Sequence, residues 1–368
     1  MKIAILVPDI TNLGGVEQVS ITLAKRLTTE GNIVAVVSLK SLHEQRYFDI
    51  SVVKIEYLEG DSEEKLSEFF KAQKYDKVIV QLSTAFKNLC PLADWKLLRL
   101  IALYSKIELV IHESPKYFVT RYNTNADGKT RFFLKRLYTK FHYNPQIHSF
   151  FRHAKKYVSQ FVTLSKGCQK ELRQYHQLDS VVRYNPYDFL KADIHTGQKK
   201  NIVVFAGRLS AEKNLVFLLR SWKKIQRKQD WILQIVGNGS ESEKLRSLIQ
   251  NERIEAVSLV PAVPHDELLE RFSESKICVL ASFFEAFPTV ICEAMNMKNT
   301  VVSTRYDGFS DELLENNETG FVVDFSEQRF AEKLQFLIEN PSELQKMQEK
   351  AYARCKQFYE SGNENVRL

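Results

Sequence analysis

Cysteine is scarce and scattered: five residues in 368, at positions 90, 168, 278, 292 and 355, with no Cys-x-x-Cys pair. A zinc site or a redox dithiol needs closer spacing, so these read as buried thiols in a reducing compartment. The eight histidines show no His-Glu-x-x-His or comparable ligand spacing, and aspartates two apart that could share a hydrated cation are missing. No required metal is expected. Glycine and proline, 13 and 9 in all, are too few for a collagenous or low-complexity chain. No run nears the roughly 18 to 20 apolar residues of a membrane-spanning helix. Ile3 to Val7 is too short for a signal-peptide core and is met at once by Pro8 and Asp9, so a cytoplasmic location is expected.

What is present is an ordinary globular composition, 44% hydrophobic and 26% charged, at a length that suits two domains with separate cores. Short β-branched or apolar runs alternate with amphipathic ones from the first residue, the pattern of parallel sheets covered by helices. A first series comprises Ile3 to Val7, Ile33 to Leu39, Val78 to Gln81, Ile107 to Ile111 and Phe161 to Leu164. A second comprises Ile202 to Ala206, Trp231 to Val236, Val257 to Val260, Ile277 to Ala281 and Thr300 to Ser303. The polar stretch Lys191 to Asn201 reads as the crossover between them. The expectation is two doubly wound, Rossmann-like α/β domains, 1–190 and 191–340, facing a cleft, with ligands outside the carboxyl ends of the strands.

Positive charge is concentrated. Pro115 to Gln160 carries ten Lys or Arg against one acid, Asp127, a local net of +9; with a total of +7 the remainder sums to 7 minus 9, or −2. Aromatic residues, including Phe132, Tyr138, Phe150 and Phe151, are interleaved there. Such a segment suits anionic lipid head groups or an anionic acceptor, and equally a solvated helical face over ordinary packing. Nothing matches a nucleic-acid recognition module.

The strongest chemical signal is Ser282 to Met295. A strand ends near Ala281, a loop carries Glu285, and Pro288 sits where a helix would begin, its missing N–H costing nothing there. The free amides of that helix's first turn, with the helix dipole, suit an anion, which makes Ala286, Phe287, Pro288 and Thr289 candidates for binding a phosphorylated donor. Glu293 lies among Val290, Ile291, Ala294 and Met295, where a carboxylate needs hydrogen-bond donors such as a vicinal diol. Gly207 to Asn214 follows another strand and holds Arg208 and Lys213, cations suited to a departing diphosphate. Gly14-Gly15 and Gly237-Asn238-Gly239 each follow a strand, and the second lacks the third glycine of a dinucleotide fingerprint, against a dehydrogenase. His112 follows the strand Ile107 to Ile111. Alone, Arg208 and Lys213 could be surface charges and His112 a structural residue.

Glu285 and Glu293, seven residues between them, after a strand ending in Ser and before Ala-Met, resemble the E-x7-E signature of retaining glycosyltransferases of family 4, which have the GT-B fold. Gly207-Arg208-Leu209 through Lys213 is similar to that family's G-R-L-x-x-x-K-G motif, with Asn214 in place of glycine. Asn296 to Thr300 departs from the family's Ala-x-Gly-x-Pro. The resemblance implies that Glu285 contacts the transferred sugar, Glu293 the ribose hydroxyls, Arg208 and Lys213 the diphosphate, and His112 the donor sugar. It implies Gly15, Gly207 and Gly237 near the donor, Gly320 in a turn, and a C-terminal helix, 341–359, packed back on the first domain. The implied reaction moves a hexose or N-acetylhexosamine, with UDP as the expected carrier, to a glycan or lipid-linked saccharide hydroxyl in cell-surface polysaccharide synthesis. No cofactor or metal is implied, and peripheral contact with an anionic membrane through 115–160 is expected. The alternative is a noncatalytic GT-B partner subunit that binds a glycan or another transferase.

Overall fold

A computed structural model describes residues 1–11, 15–40, 54–58, 63–82, 94–116, 144–186, 198–308 and 312–361. The chain divides into two compact units, Met1–Tyr187 and Asp188–Arg367.

The first unit is built on a parallel sheet of seven strands, β1 (Lys2–Asp9), β2 (Ile33–Lys40), β3 (Lys54–Tyr57), β4 (Lys77–Leu82), β5 (Lys106–Ile111), β6 (Gln160–Thr163) and β7 (Val181–Val182). They lie side by side in the order β3-β2-β1-β4-β5-β6-β7. Five described helices connect them: α1 (Gly15–Thr29), α2 (Glu63–Gln73), α3 (Trp95–Ala102), α4 (Asn144–Ala154) and α5 (Lys166–His176). The central strands are continuous apolar runs because a parallel sheet is covered on both faces: Ile3 through Val7 are all fully buried. Ser165 caps α5, its side chain accepting from the Cys168 amide. Glu108, buried on β5, is held by both guanidinium nitrogens of Arg183 and by Lys77, which ties the short edge strand β7 to the sheet.

Of the basic segment 115–160, residues 117–143 lie outside the described residues. In its described part, Phe150 and Phe151 are core residues of α4, while Arg152, Lys155 and Lys156 are exposed. There the aromatic and basic residues occupy opposite faces of an amphipathic helix and its end, the pattern of packing against the sheet.

The second unit repeats the plan with six strands, β8 (Ile202–Ala206), β9 (Ile232–Val236), β10 (Val257–Val260), β11 (Ile277–Leu280), β12 (Thr300–Thr304) and β13 (Gly320–Val323), in the order β10-β9-β8-β11-β12-β13. Its helices are α6 (Leu215–Lys223), α7 (Ser242–Asn251), α8 (His265–Glu274), α9 (Thr289–Asn296), α10 (Glu327–Glu339) and α11 (Pro341–Ser361). Gly320 opens β13 rather than lying in a turn. A Cβ there would come within 2.0 Å of the Val301 carbonyl oxygen on the neighbouring strand. Helix α11, expected against the first domain, packs on α9, α10 and β12 of the second unit. Its buried residues Leu344, Met347, Ala351, Cys355 and Tyr359 recur every three or four positions and form one apolar stripe. Cys292 of α9 meets the Tyr359 hydroxyl at 3.2 Å.

The departure at Asn296 to Thr300 leaves the turn after α9 intact. Lys298 adopts the left-handed conformation, φ 53°, that a glycine would take freely. Asn299 supplies what the glycine does not, its side-chain amide donating to the carbonyls of Ala294 and Phe272 at 3.0 and 2.7 Å. Asn214 is also left-handed, φ 53°, where the resemblance expects glycine, and asparagine tolerates that region well. Lys199 fastens the ends of two helices: its ammonium donates to Phe272 and Ser275 at the end of α8 and to Met297 after α9, at 3.2, 2.6 and 2.7 Å. These carbonyls lie where the helices end, at the negative ends of two dipoles, and that of Phe272 is shared with Asn299. Lys199→Met is therefore expected to lower unfolding stability by about 1–3 kcal/mol, read from a urea transition; an unchanged midpoint would show that water serves these carbonyls as well.

Candidate active site in the second unit

In each sheet the chain reverses its direction of winding once, between β1 and β4 in the first unit and between β8 and β11 in the second. Loops leaving adjacent strands at such a point run to opposite faces and open a crevice at the carboxyl ends. The two chemical segments of the second unit are the loops that leave β8 and β11.

After β8 the backbone turns at Gly207, φ 151°, and interlocks with the loop after β9. Gly207 donates to the Val236 carbonyl at 3.0 Å and Leu209 to the Asn238 carbonyl at 2.8 Å. A Cβ on Gly237 would lie 1.9 Å from the Gly207 oxygen. Glycine at 237 is thus required by contact between two loops, whatever else approaches it. Arg208 is exposed at the crest of this loop. A single 3-10 turn, Ala211–Lys213, follows and delivers Lys213.

After β11, Ser282 and the backbone of Phe283 meet that turn. The Lys213 ammonium lies 2.6 Å from Oε1 of Glu285, and the Ser282 hydroxyl donates to the same oxygen at 2.6 Å. The Phe283 amide donates to the Glu212 carbonyl at 2.9 Å, a second tie between the loops. Both partners of the ion pair are mostly withdrawn from solvent, Lys213 20% and Glu285 13% exposed. The loop after β12 closes the other side: Glu285 donates its amide to Asp307, and Thr304 donates its hydroxyl to the Ser282 carbonyl.

Pro288 then caps α9, whose first turn has no side-chain cap. Thr289 opens the helix and Glu293 lies within it, buried. Sequence reasoning left the donor to Glu293 open. In the structure it is His265, the first residue of α8, whose Nε2 is 3.0 Å from Oε1 of Glu293. The carboxylate raises the imidazole above its usual value, against the opposing pull of burial. Ala286, Phe287, Pro288, Thr289, Gly207 and Gly237 all belong to the loops and the helix start described here. The structure therefore brings Lys213 and Glu285, from separate motifs, into direct contact and places Glu293 about one turn into the following helix.

Gly15 and His112 lie in the first unit. Gly15 begins α1, where an added Cβ would meet nothing within 4 Å. His112 follows β5 and bonds through Nε2 to the side-chain oxygen of Gln81 on β4. Gln81 was not singled out in the sequence; it is buried, and among the described residues its Nε2 has no hydrogen-bond partner. With Nε2–H donating to Gln81, the ring is the neutral tautomer with Nδ1 as acceptor. Burial pushes it down to about 3, so it stays neutral at physiological pH.

Residues 187–354 match the family described as glycosyl transferases group 1. The match covers a little under half of the chain. It is 26% identical over 341 residues to the amylovoran biosynthesis glycosyltransferase AmsD of Erwinia amylovora, covering 92% of this chain and 90% of that one. A shorter match, 26% identical over 164 residues, 44% of this chain and 45% of that one, is to the Campylobacter jejuni GalNAc-alpha-(1->4)-GalNAc-alpha-(1->3)-diNAcBac-PP-undecaprenol alpha-1,4-N-acetyl-D-galactosaminyltransferase. Among solved structures, Anabaena HepE in complex with UDP and glucose superposes with a TM-score of 0.75 at 16% identity, over 100% of this chain and 99% of that one. The fold is GT-B.

The two histidines are expected to separate cleanly in NMR spectra of ring-labelled protein: no titration of His112 between pH 8 and 5, and a midpoint above 6.5 for His265. A His112 midpoint near 6.5 would contradict its burial. Gly237→Ala is expected to lower the melting temperature, because backbone must shift to admit the methyl group, whereas Gly15→Ala should leave it unchanged or slightly raised.

Proposed function

We propose that this protein is an enzyme of the hexosyltransferase type, a retaining, metal-independent glycosyltransferase that takes a hexose or N-acetylhexosamine from a nucleoside diphosphate, UDP foremost, to a hydroxyl of a glycan or lipid-linked saccharide. The observation that carries the reading is the Lys213–Glu285 pair at the switch between β8 and β11. A cation for the diphosphate and a carboxylate for the sugar sit side by side where such sheets bind ligands.

In this reading, departure of the nucleoside diphosphate builds negative charge on the leaving oxygen. Arg208, Lys213 and the uncapped first turn of α9 meet that charge, and because they are positioned beforehand they need little reorganisation. Glu285 orients the sugar, and Glu293 the ribose hydroxyls. His112, neutral, accepts a hydrogen bond from a sugar hydroxyl at Nδ1 and supplies no proton. No protein nucleophile is required; the acceptor attacks the face that the diphosphate leaves, and the leaving phosphate oxygen takes the acceptor's proton. Glycan assembly is supported by what relatives are named for, amylovoran biosynthesis and an undecaprenol-linked saccharide. UDP as carrier is supported by the UDP and glucose bound in the HepE structure. An acceptor on the inner membrane face, with the segment 115–160 lying against anionic lipid, belongs to the same reading.

The test is nucleotide release from a panel of UDP-, GDP- and ADP-sugars with and without saccharide acceptors, with the product's anomeric configuration read by NMR. Arg208→Ala and Lys213→Ala are each expected to lower turnover about 100-fold or more, the loss seen when a charge-stabilising donor is removed. Turnover within a few-fold of the parent in either variant would remove the phosphate assignment. Inverted configuration would remove the retaining mechanism, and release from no sugar would favour the noncatalytic partner subunit.

A further inference from the structure

Glu293 poses a problem that the reading above leaves unsolved. It is 8% exposed, flanked in α9 by the fully buried Cys292 and Ala294. A carboxylate so placed loses several kcal/mol of hydration unless donors replace water. Among the described residues its side chain has one donor, Nε2 of His265 at 3.0 Å on Oε1, and Oε2 has none. His265 is fixed independently of Glu293. It is the first residue of α8, immediately after Pro264, whose φ of −55° sets the entry to the helix. The preceding loop is also anchored, the Ala262 amide donating to the side chain of Asn238 at 3.2 Å in the glycine loop after β9. The imidazole remains about one-third exposed, so the pair sits at the rim of the site and not beneath it.

We infer that His265 is a positioning residue for the nucleotide: it occupies one oxygen of Glu293 and so presents the other to the ribose diol, making the enzyme selective for ribonucleotides over 2′-deoxyribonucleotides. This rests on the assignment of Glu293 to the ribose. A carboxylate free to rotate about its last torsion would offer either oxygen in many directions and lose orientational entropy on binding. One locked by a charged hydrogen bond to a helix terminus has lost that freedom already. A bound ligand that lacked the 2′-hydroxyl would cover Oε2 without giving it a donor, which is how a site built to bond a hydroxyl rejects its absence.

The experiment is calorimetric binding of UDP, GDP and ADP, and of the 2′-deoxy counterpart of whichever binds best, to the full-length chain and four variants. The parent is expected to prefer the ribonucleotide about 10- to 100-fold, the range of a hydrogen bond to a charged group. Glu293→Gln should abolish most of that preference. His265→Leu, which fills the ring's volume without a donor, and His265→Ala should each reduce it at least about fivefold while changing affinity for the deoxynucleotide less than about twofold. His265→Gln, which keeps an N–H donor, should hold it within about threefold of the parent. Equal loss of affinity for both nucleotides in the leucine and alanine variants, or identical behaviour of the leucine and glutamine variants, overturns the proposal while leaving Glu293 on the ribose. If Glu293→Gln keeps the preference, the ribose assignment itself is wrong and this inference goes with it. No binding of any of the three diphosphates would overturn the donor reading as a whole.

Discussion

The second unit is organised around one ionic contact, the ammonium of Lys213 on the carboxylate of Glu285. Neither group could be withdrawn from water alone at modest cost, and each becomes tolerable because the other is there, with the Ser282 hydroxyl satisfying the same oxygen. The contact demands that the segments leaving β8 and β11 run side by side. Only a sheet in which β11 is laid down next to β8, after β9 and β10 have been added on the other edge, meets that demand. Sheet topology, backbone ties such as Phe283 to Glu212, and the ion pair therefore specify one another.

Much of this was legible in the sequence because burial on both faces leaves an unmistakable mark: β-branched runs such as Ile3 to Val7 and Ile277 to Leu280 have no other sensible reading. The strands that were not read are those that lack that mark. β3 (Lys54–Tyr57) is an edge strand with two charged residues, β7 is two residues long, and β13 begins with glycine. Each is recruited by a neighbour already in place rather than by its own composition, so no local signal announces it. The apparent departures at Asn214 and Lys298 are of another kind. Both residues take the left-handed conformation at positions where the resemblance expects glycine, so the backbone path survives although the residue differs.

His265 and Gln81 escaped sequence reasoning for the same physical cause. A hydrogen bond between side chains 28 or 31 residues apart has no spacing that a motif can express. The clue that does exist in the sequence is a deficit: Glu293 in apolar company must have a donor. A deficit names the need without naming the residue, since every polar side chain on a neighbouring loop is a candidate. The fold resolves it, because α8 starts beside α9 and places the first side chain of one helix against the middle of the other.

The two histidines carry the electrostatic argument one step further. His112 faces a neutral amide and loses its proton affinity to burial, whereas His265 faces a carboxylate and gains affinity from it. In the proposed function the difference matters, because a diphosphate site that contains two glutamates should repel its own ligand. Here each glutamate already has a basic partner, Lys213 on Glu285 and His265 on Glu293. Among the described residues Arg208 has no ion-pair partner, and it stands exposed one turn of chain before Lys213. Near neutral pH, with His265 at least partly protonated, the two paired carboxylates contribute little net field at the distance of an approaching anion, while Arg208 and the amino end of α9 remain to attract it. The carboxylates can then act at short range, on hydroxyl groups, where their orientation counts for more than their charge.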